Sequence, residues 1–172
     1  FDCRQVLYEE SMFDGQKVSK SRIITSVDYS MVSMEAFEIY AANHDIHVMD
    51  FVLKLDAYPY YMMNLLDSLR GNPARHWGNW GFLVDNRTNQ PVRLFDLMDL
   101  NQTFLAYDTP DGANCMTTGN RKMSQREAAV EAVKNIGLNQ KDEIKDEWFK
   151  GREKEREMFW CRFGILKEQW KA

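Results

Sequence analysis

The chain has 172 residues, a net charge of -4, and 44% hydrophobic and 28% charged residues. This length suits one domain with a substantial core, and the composition is typical of a globular protein rather than a disordered one. No apolar run approaches membrane-spanning length, and the acidic balance argues against broad contact with a phosphate backbone, so we expect neither a membrane nor a nucleic acid as partner. Cys3, Cys115 and Cys161 are far apart and lack CxxC spacing, and the N-terminus is not a signal peptide; both features favour the cytoplasm.

Residues 1–30 are predicted to be extended. The segments "RQVLYEE" and "KSRIITSV" are rich in β-branched and aromatic residues and flank the turn-like "FDGQ".

Helices are predicted over residues 31–70. Ser33 is a plausible N-cap, with Phe37, Tyr40 and Ala41 recurring on one helical face. A further helix is expected to carry Pro59 in its first turn and to end at Gly71. Its buried stripe, at i, i+3, i+4 and i+7, consists of Met62, Leu65, Leu66 and Leu69.

Residues 71–105 are predicted to form a loop and an antiparallel β-hairpin, because "WGFLVD" and "PVRLFDLMD" flank the turn-rich "NRTNQ". The aperiodic "YDTPDGANCMTTGNRKM" that follows is interpreted as a surface loop.

Helices return over residues 121–172. Ser124 and Glu127 form a capping box, Gly137 closes that helix, and the tail from residue 139 is predicted to be helical. Its apolar stripe is Phe159, Phe163, Leu166 and Trp170. The whole is one domain, residues 1–172, of mainly α class with a small antiparallel hairpin.

The loop "GNPARHWGNWGF" places Arg75, His76 and Asn79 close together. An asparagine before a hairpin that ends in carboxylates suits phosphoryl transfer, which needs Mg²⁺ held against nucleotide phosphates by Asp and Asn oxygens. In protein kinases the catalytic Asp precedes the metal-binding Asn by five residues. Here Ala74 precedes Asn79 by five.

Together, "ARHWGNWGFLVDN" and "RLFDLMDLNQTF" resemble the catalytic segment of HipA-like serine/threonine kinases, in which a D-R-H-x-x-N loop leads through a hairpin to a second metal-binding Asp. The resemblance covers roughly residues 64–105. It implies a protein-kinase-like C-lobe, ATP and Mg²⁺ as cofactors, and a protein substrate phosphorylated on Ser or Thr.

The resemblance also implies roles for individual residues. Asn79 would be a Mg²⁺ ligand, while Arg75 and His76 would order the loop or contact the reacting phosphate. The second ligand is either Asp96 or Asp99, and "DLN" at Asp99 matches the family ending better. On a strand, these two carboxylates would point to opposite faces.

Two departures bear on activity. Ala74 stands where the family has its catalytic Asp, and no Gly-rich phosphate loop with a strand lysine lies upstream, so an N-lobe or partner protein would have to supply the rest of the ATP site. We therefore expect an impaired HipA-like kinase or, alternatively, a pseudokinase that binds nucleotide or a protein. A phosphatidylinositol-type lipid kinase shares the loop but suits the sequence less well, since lipid headgroups favour Lys/Arg clusters.

Other polar and aromatic residues have simpler interpretations. His44 and His47 are expected at a helix end rather than on a metal. We predict hairpin-turn residues at Asp85, Asn86 and Asn89. We predict core positions for Trp77, Trp80, Met62 and Met63. Asp108 and Asp111 are predicted to be solvated carboxylates of the surface loop.

Overall fold

The computed structural model describes residues 1–104 and 123–171 of the chain. In this part the fold is mixed rather than mainly α: about 46% is helical, and two small antiparallel sheets accompany the helices. The strands are β1 (Tyr8–Phe13), β2 (Gln16–Ser21), β3 (Tyr29–Ser33), β4 (Gly81–Asp85) and β5 (Gln90–Leu94). The helices are α1 (Met34–Asn43), α2 (Val48–Arg70), α3 (Gln125–Ile136) and α4 (Glu153–Lys171).

The first sheet is the β1–β2 hairpin, which confirms the extended structure predicted around "FDGQ". Asp14 and Gly15 both have positive φ, 49° and 76°, at its two-residue turn. A turn with two positive φ angles matches the right-handed twist of paired strands, and the Asp-Gly pair is well suited to it.

The second sheet has the strand order β3–β4–β5, all antiparallel. Its β4–β5 hairpin confirms the predicted one. Asp85 Oδ1 accepts hydrogen bonds from the backbone N–H groups of Arg87 and Thr88, and Asn89 has φ 54°, so Asp85 and Asn89 act as turn residues as expected. The prediction that helices begin at residue 31 is wrong, because residues 31–33 pair with β4 as part of β3.

Helix α1 starts at its predicted cap, Ser33, whose hydroxyl accepts from the N–H of Ala36 at 3.3 Å. Phe37 and Ala41 are buried, whereas Tyr40, at the edge of the same face, is 49% exposed. The Tyr40 ring lies beside Phe37, with 5.9 Å between the ring centroids, and stacks on His44 at 4.0 Å.

His44 and His47 lie at helix ends, as predicted. His44 is the C-cap of α1, and His47 is the N-cap of α2.

Helix α2 is kinked at Asp56, where φ is -158° and ψ is 62°, three residues before Pro59. The kink divides it as the sequence predicted, with Pro59 in the first turn of the second half. Gly71 ends the helix in the left-handed conformation at φ 60°. The predicted stripe lies in the core, with each member at most 3% exposed: Met62, Leu65, Leu66 and Leu69.

Helix α3 begins with the predicted capping box of Ser124 and Glu127 and ends at Gly137. The predicted helix from residue 139 is wrong in its first part. Residues 139–152 contain only a short 3-10 turn, Asp146–Phe149, and the positive φ of Gly151 precedes α4.

Helix α4 carries the predicted stripe in part. Phe159, Phe163 and Leu166 are buried, but Trp170 is 57% exposed near the end of the helix.

The core lies where α2 packs against α3, α4 and β5. Met62, Met63 and Trp80 are buried in it, and Trp77 packs against it, as predicted. Asp108, Asp111, Cys115 and most of the predicted surface loop lie outside the described residues. No helix in the described ranges has the length and apolar character needed to cross a membrane.

Candidate functional site

The candidate loop leaves α2 at Gly71 and reaches β4 at Gly81 within ten residues. A 3-10 turn, Trp77–Asn79, lies in its middle, and His76 caps that turn: its Nδ1 accepts from the N–H of Gly78 at 3.1 Å. The His76 side chain is exposed. The loop is therefore ordered by its own turn, with an imidazole at its outer surface.

Arg75 points inward and pairs with a buried carboxylate of α2. Its Nε donates to Asp67 Oδ2 at 2.8 Å, and its Nη2 donates to Asp67 Oδ1 at 3.1 Å. Arg75 is 6% exposed and Asp67 is 2% exposed. Such two-pronged pairing fixes the plane of the guanidinium as well as its position.

The remaining nitrogen of Arg75 joins two separate segments. Its Nη1 donates to the carbonyl oxygen of Asn79 at 2.9 Å and to that of Met98 at 2.7 Å. Asn79 belongs to the loop, and Met98 immediately precedes Asp99. Arg75 thus brings together the two chain segments that carry the predicted metal ligands.

A second buried side chain, Asn72, completes the support. Its Nδ2 donates to Asp67 Oδ1 at 3.0 Å, and its Oδ1 accepts from the N–H of Ala74 at 3.3 Å. The Asn72 carbonyl accepts from Gln125 Nε2 in α3. The loop is therefore tied to α2 and α3 through buried polar groups with hydrogen-bond partners, as burial requires.

Asn79 has one end of its amide engaged within the loop. Its Nδ2 donates to the carbonyl oxygen of Ala74 at 2.9 Å, which fixes the orientation of the amide because Ala74 O can only accept. In the described part of the chain no group donates to Asn79 Oδ1. The oxygen, which is the atom that a Mg²⁺ ion would require, is thus left as an unused acceptor.

The two candidate carboxylates are in different situations. Asp96 pairs with Arg93, whose Nη1 lies 2.6 Å from Asp96 Oδ1, and it lines a small cavity that includes Arg4 and Trp80. The Asp99 carboxylate accepts no hydrogen bond from residues 1–104 or 123–171. Asp99 also has φ 54°, a left-handed conformation that aspartate and asparagine tolerate in turns, as Asp14 and Asn89 do here.

The expected strand alternation does not apply to these residues. Strand β5 ends at Leu94, so Asp96 and Asp99 lie beyond it. What separates them is Leu97, which forms a parallel bridge with Gln5 and exchanges backbone hydrogen bonds with the N-terminal segment.

The segment 97–104 is anchored on both sides of Asp99. Before it, the Leu97 N–H donates to Arg4 O at 3.0 Å and the Met98 carbonyl accepts from Arg75. After it, the Phe104 N–H donates to Arg70 O at 2.8 Å. The Asp99 backbone is thus held between the N-terminal segment and the end of α2.

Burial also shifts the pKa values of two side chains beneath the site. It lowers the pKa of Arg70, although the nearby Asp67 carboxylate opposes that shift. Burial raises the pKa of the Cys3 thiol, with Arg70 acting in the opposite direction. Cys3 is therefore predominantly the neutral thiol near neutral pH and is not poised as a nucleophile.

Three supporting residues were missed by sequence reasoning: Asp67, Asn72 and Gln125. Asp67 did carry a signal, because it is the one charged residue in "YYMMNLLDSL", residues 60–69. When a charged side chain lies in a helical segment that is buried on every side, it needs an ion-pair or hydrogen-bond partner. Asn72 and Gln125 carried no comparable signal, since their contact spans 53 positions of the chain.

Comparisons with known proteins add no assignment: the sequence matches no protein-family model, curated protein or solved structure. Among the residues that the structure describes, no three His, Cys, Asp or Glu side chains are grouped so that they could hold a metal ion. An Asn79–Asp99 pair is a smaller set, and it would need nucleotide phosphates and water to complete the coordination of an ion.

Proposed function

We propose that this chain carries the Mg²⁺-nucleotide site of a HipA-like serine/threonine kinase, with phosphoryl transfer impaired by Ala74. The observation that carries the proposal is the bridge from Arg75 Nη1 to the carbonyls of Asn79 and Met98. It brings the loop asparagine and the segment of Asp99 to one place, from positions twenty residues apart in the sequence. A kinase-type metal site requires this juxtaposition.

The available donors fit Mg²⁺. Both candidate ligand groups, Asn79 Oδ1 and the Asp99 carboxylate, supply oxygen and receive no hydrogen bond from described residues. Magnesium is commonly held by one or two carboxylates together with substrate phosphates, rather than by an all-protein cage. When bound, the ion would neutralise phosphate charge that develops during transfer.

The surrounding residues have distinct tasks in this proposal. Arg75 is committed to Asp67 and to two carbonyls, so it orders the loop and does not contact phosphate. His76 is exposed and its Nδ1 accepts from Gly78, which leaves Nε2 as the atom that could meet a phosphate or an acceptor hydroxyl. Asp96 is engaged by Arg93, which favours Asp99 as the second ligand.

Ala74 favours a second candidate function, a pseudokinase that holds nucleotide or a protein partner without transfer. A methyl group can neither accept a proton nor orient a hydroxyl. Both alternatives predict nucleotide binding. They differ in whether an aspartate at position 74 would restore phosphoryl transfer. In both, an N-lobe or partner protein supplies the rest of the ATP site. A lipid kinase has less support, because the buried Arg75 is already paired.

The test is nucleotide-linked stability, measured by thermal unfolding of the chain and of the longest natural form that carries it. Mg-ATP at a hundredfold excess over its dissociation constant should stabilise the protein by about 2 to 3 kcal/mol. Asp99→Ala should abolish this shift, because it removes the carboxylate proposed as the second ligand. Equal stabilisation with and without Mg²⁺, or none in a form that contains an N-lobe, would count against both kinase interpretations.

A further inference from the structure

The polar contacts beneath the loop converge on one residue that belongs to neither segment of the site. Asp67 accepts from Arg75 Nε, Arg75 Nη2 and Asn72 Nδ2, all within 3.1 Å. Its backbone carbonyl accepts in addition from the N–H of Asn72 at 2.9 Å. Three side-chain donors on one buried carboxylate satisfy most of its acceptor capacity.

We propose that Asp67 is the positioning residue of the site: by fixing the Arg75 guanidinium, it sets the placement of the Asp99 segment against the Asn79 loop. The inference rests on the proposed function for its chemical purpose. The placement itself is a property of the protein without any ligand.

The geometry supports an action through Arg75. A guanidinium is planar, so the two bonds to Asp67 fix the direction in which Nη1 points. That nitrogen holds the carbonyls of Asn79 and Met98. If Asp67 no longer fixes the plane, both carbonyls lose a donor of defined direction, and the segment 97–104 loses its link to the loop.

Asp67 differs in this respect from Asp146, in the 3-10 turn before α4. Asp146 also accepts two bonds from one arginine: Arg156 Nε donates to its Oδ1 at 2.9 Å, and Arg156 Nη2 donates to its Oδ2 at 2.7 Å. Both residues belong to the 3-10 turn and α4, not to the loop or to residues 97–104. Asp146→Asn is therefore the control for Asp67→Asn, since both remove one charge from a two-pronged arginine pair.

The first measurement is hydrogen exchange of the ligand-free protein, followed in peptides that cover residues 97–104. In Asp67→Asn, exchange there should rise by about tenfold or more, because the link to the loop opens locally. In Asp146→Asn, exchange in the same peptides should stay within about threefold of the parent. Unchanged exchange in a folded Asp67→Asn variant would overturn the proposal.

A double variant separates positioning from stability. Replacing a buried ion pair by apolar residues of similar size is often neutral or stabilising, so Asp67→Leu with Arg75→Met should fold. It nevertheless lacks the Arg75 guanidinium that donates to Asn79 O and Met98 O, and it leaves the buried Asn72 Nδ2 without its carboxylate acceptor, so we expect some loss of thermal stability. Exchange at residues 97–104 should rise more than exchange in peptides from the core of α2, whereas a purely structural role predicts the same rise in both.

If Asp67→Asn does not fold, hydrogen exchange in the double variant provides the test. If neither variant folds, hydrogen exchange in Arg75→Lys provides it, because lysine retains the positive charge but not the planar guanidinium. Mg-ATP stabilisation is measured in parallel. It should be lost in the double variant and retained in Asp146→Asn. If the parent protein shows no Mg-ATP response, the proposed function fails, while the exchange result still decides whether Asp67 places the segment.

Discussion

Ala74 is half-buried at the start of the loop, and its backbone is already engaged. Its carbonyl accepts from Asn79 Nδ2 at 2.9 Å and from the N–H of His76 at 2.8 Å. These contacts involve no atom of the methyl group. Replacing the methyl group by a larger side chain would therefore leave intact the hydrogen bonds that position Asn79.

This independence leads to a prediction for catalysis. A positioned carboxylate acting on an acceptor hydroxyl contributes about 10² to 10⁴ in rate and little to nucleotide affinity. Ala74→Asp, in a form that contains any N-lobe, should raise phosphoryl transfer by at least about a hundredfold, with nucleotide affinity changed by less than about tenfold. Transfer is measured with radiolabelled ATP, both to the protein itself and to a generic Ser/Thr substrate.

Ala74→Asn is the matched control, because it has nearly the same shape as Asp but cannot take up a proton. It should remain as slow as the parent. An Ala74→Asp protein that binds Mg-ATP but stays inactive would refute the impaired-kinase interpretation and leave the binding module in its place.

At the scale of single residues, the sequence predicted correctly the roles that depend only on neighbouring residues in the chain. The roles of Ser33, Gly71, Asp85 and Ser124 as caps or turn residues follow from contacts within a few positions. The exposure of Tyr40 does not follow from such local contacts. Helical spacing places Tyr40 near Phe37 but does not show how far the buried face of the helix extends. Here Tyr40 extends past the edge of that face and stacks on His44.

Among the elements, β4 starts at a position that accepts no side chain. A Cβ on Gly81 would lie against the carbonyl oxygen of Val32, 2.8 Å from Ser33 Cα and 3.0 Å from the Met34 nitrogen. These are backbone atoms of β3 and α1, which cannot move aside independently. The close approach lets the loop enter the sheet directly after Trp80.

We predict that Gly81→Ala lowers the free energy of unfolding by about 3 kcal/mol or more, because the clash involves backbone on two elements. Gly164→Ala provides the control. Gly164 lies within α4 with no atom within 4 Å of the added Cβ, so alanine should stabilise the helix by up to about 1 kcal/mol. Denaturant unfolding measures both. Equal effects of the two substitutions would contradict the packing at Gly81.

The N-terminus of α3 should respond to pH. Glu127 accepts hydrogen bonds from the N–H and hydroxyl of Ser124, and these bonds lower the pKa of Glu127. A carboxyl whose folded pKa lies below its unfolded value stabilises the protein above the unfolded value, about 4.3. That contribution is lost as the pH falls through the folded pKa.

Glu127→Gln keeps a capping-box acceptor but removes the titration. Relative to this variant, the parent should be more stable near about pH 6, and the difference should shrink towards about pH 3. Thermal unfolding at both pH values measures it. A constant difference between the parent and Glu127→Gln would contradict the assigned bond.

At the same scale, the predictions failed where spacing alone was used. Spacing predicts a helix throughout the tail from residue 139, but Gly151, at φ 74°, marks an interruption before Glu153. The helical range predicted from residue 31 includes the last three residues of β3, whose extension depends on pairing with β4, about fifty residues later in the chain.

For the whole molecule, the site depends on contacts between distant parts of the chain. The loop composition and the hairpin were visible in the sequence. The two-pronged bond of Asp67 to Arg75 and the reach of Arg75 to Met98 were not. They depend on how α2 packs under the loop, and no local period encodes that packing. Asp96, by contrast, pairs with Arg93 three residues before it, which is a local contact, while Asp99 has no partner in the described residues.

The most direct test of the central claim, that Asn79 and Asp99 hold a nucleotide-bound metal ion, is a crystal structure with Mn²⁺ and a non-hydrolysable ATP analogue. Anomalous scattering would locate the ion. We expect Asn79 Oδ1 and one Asp99 carboxylate oxygen within about 2.0 to 2.3 Å of the ion, with Asp96 still paired with Arg93. An ion bound by Asp96 instead, or a nucleotide bound with its metal away from both Asn79 and Asp99, would contradict the account.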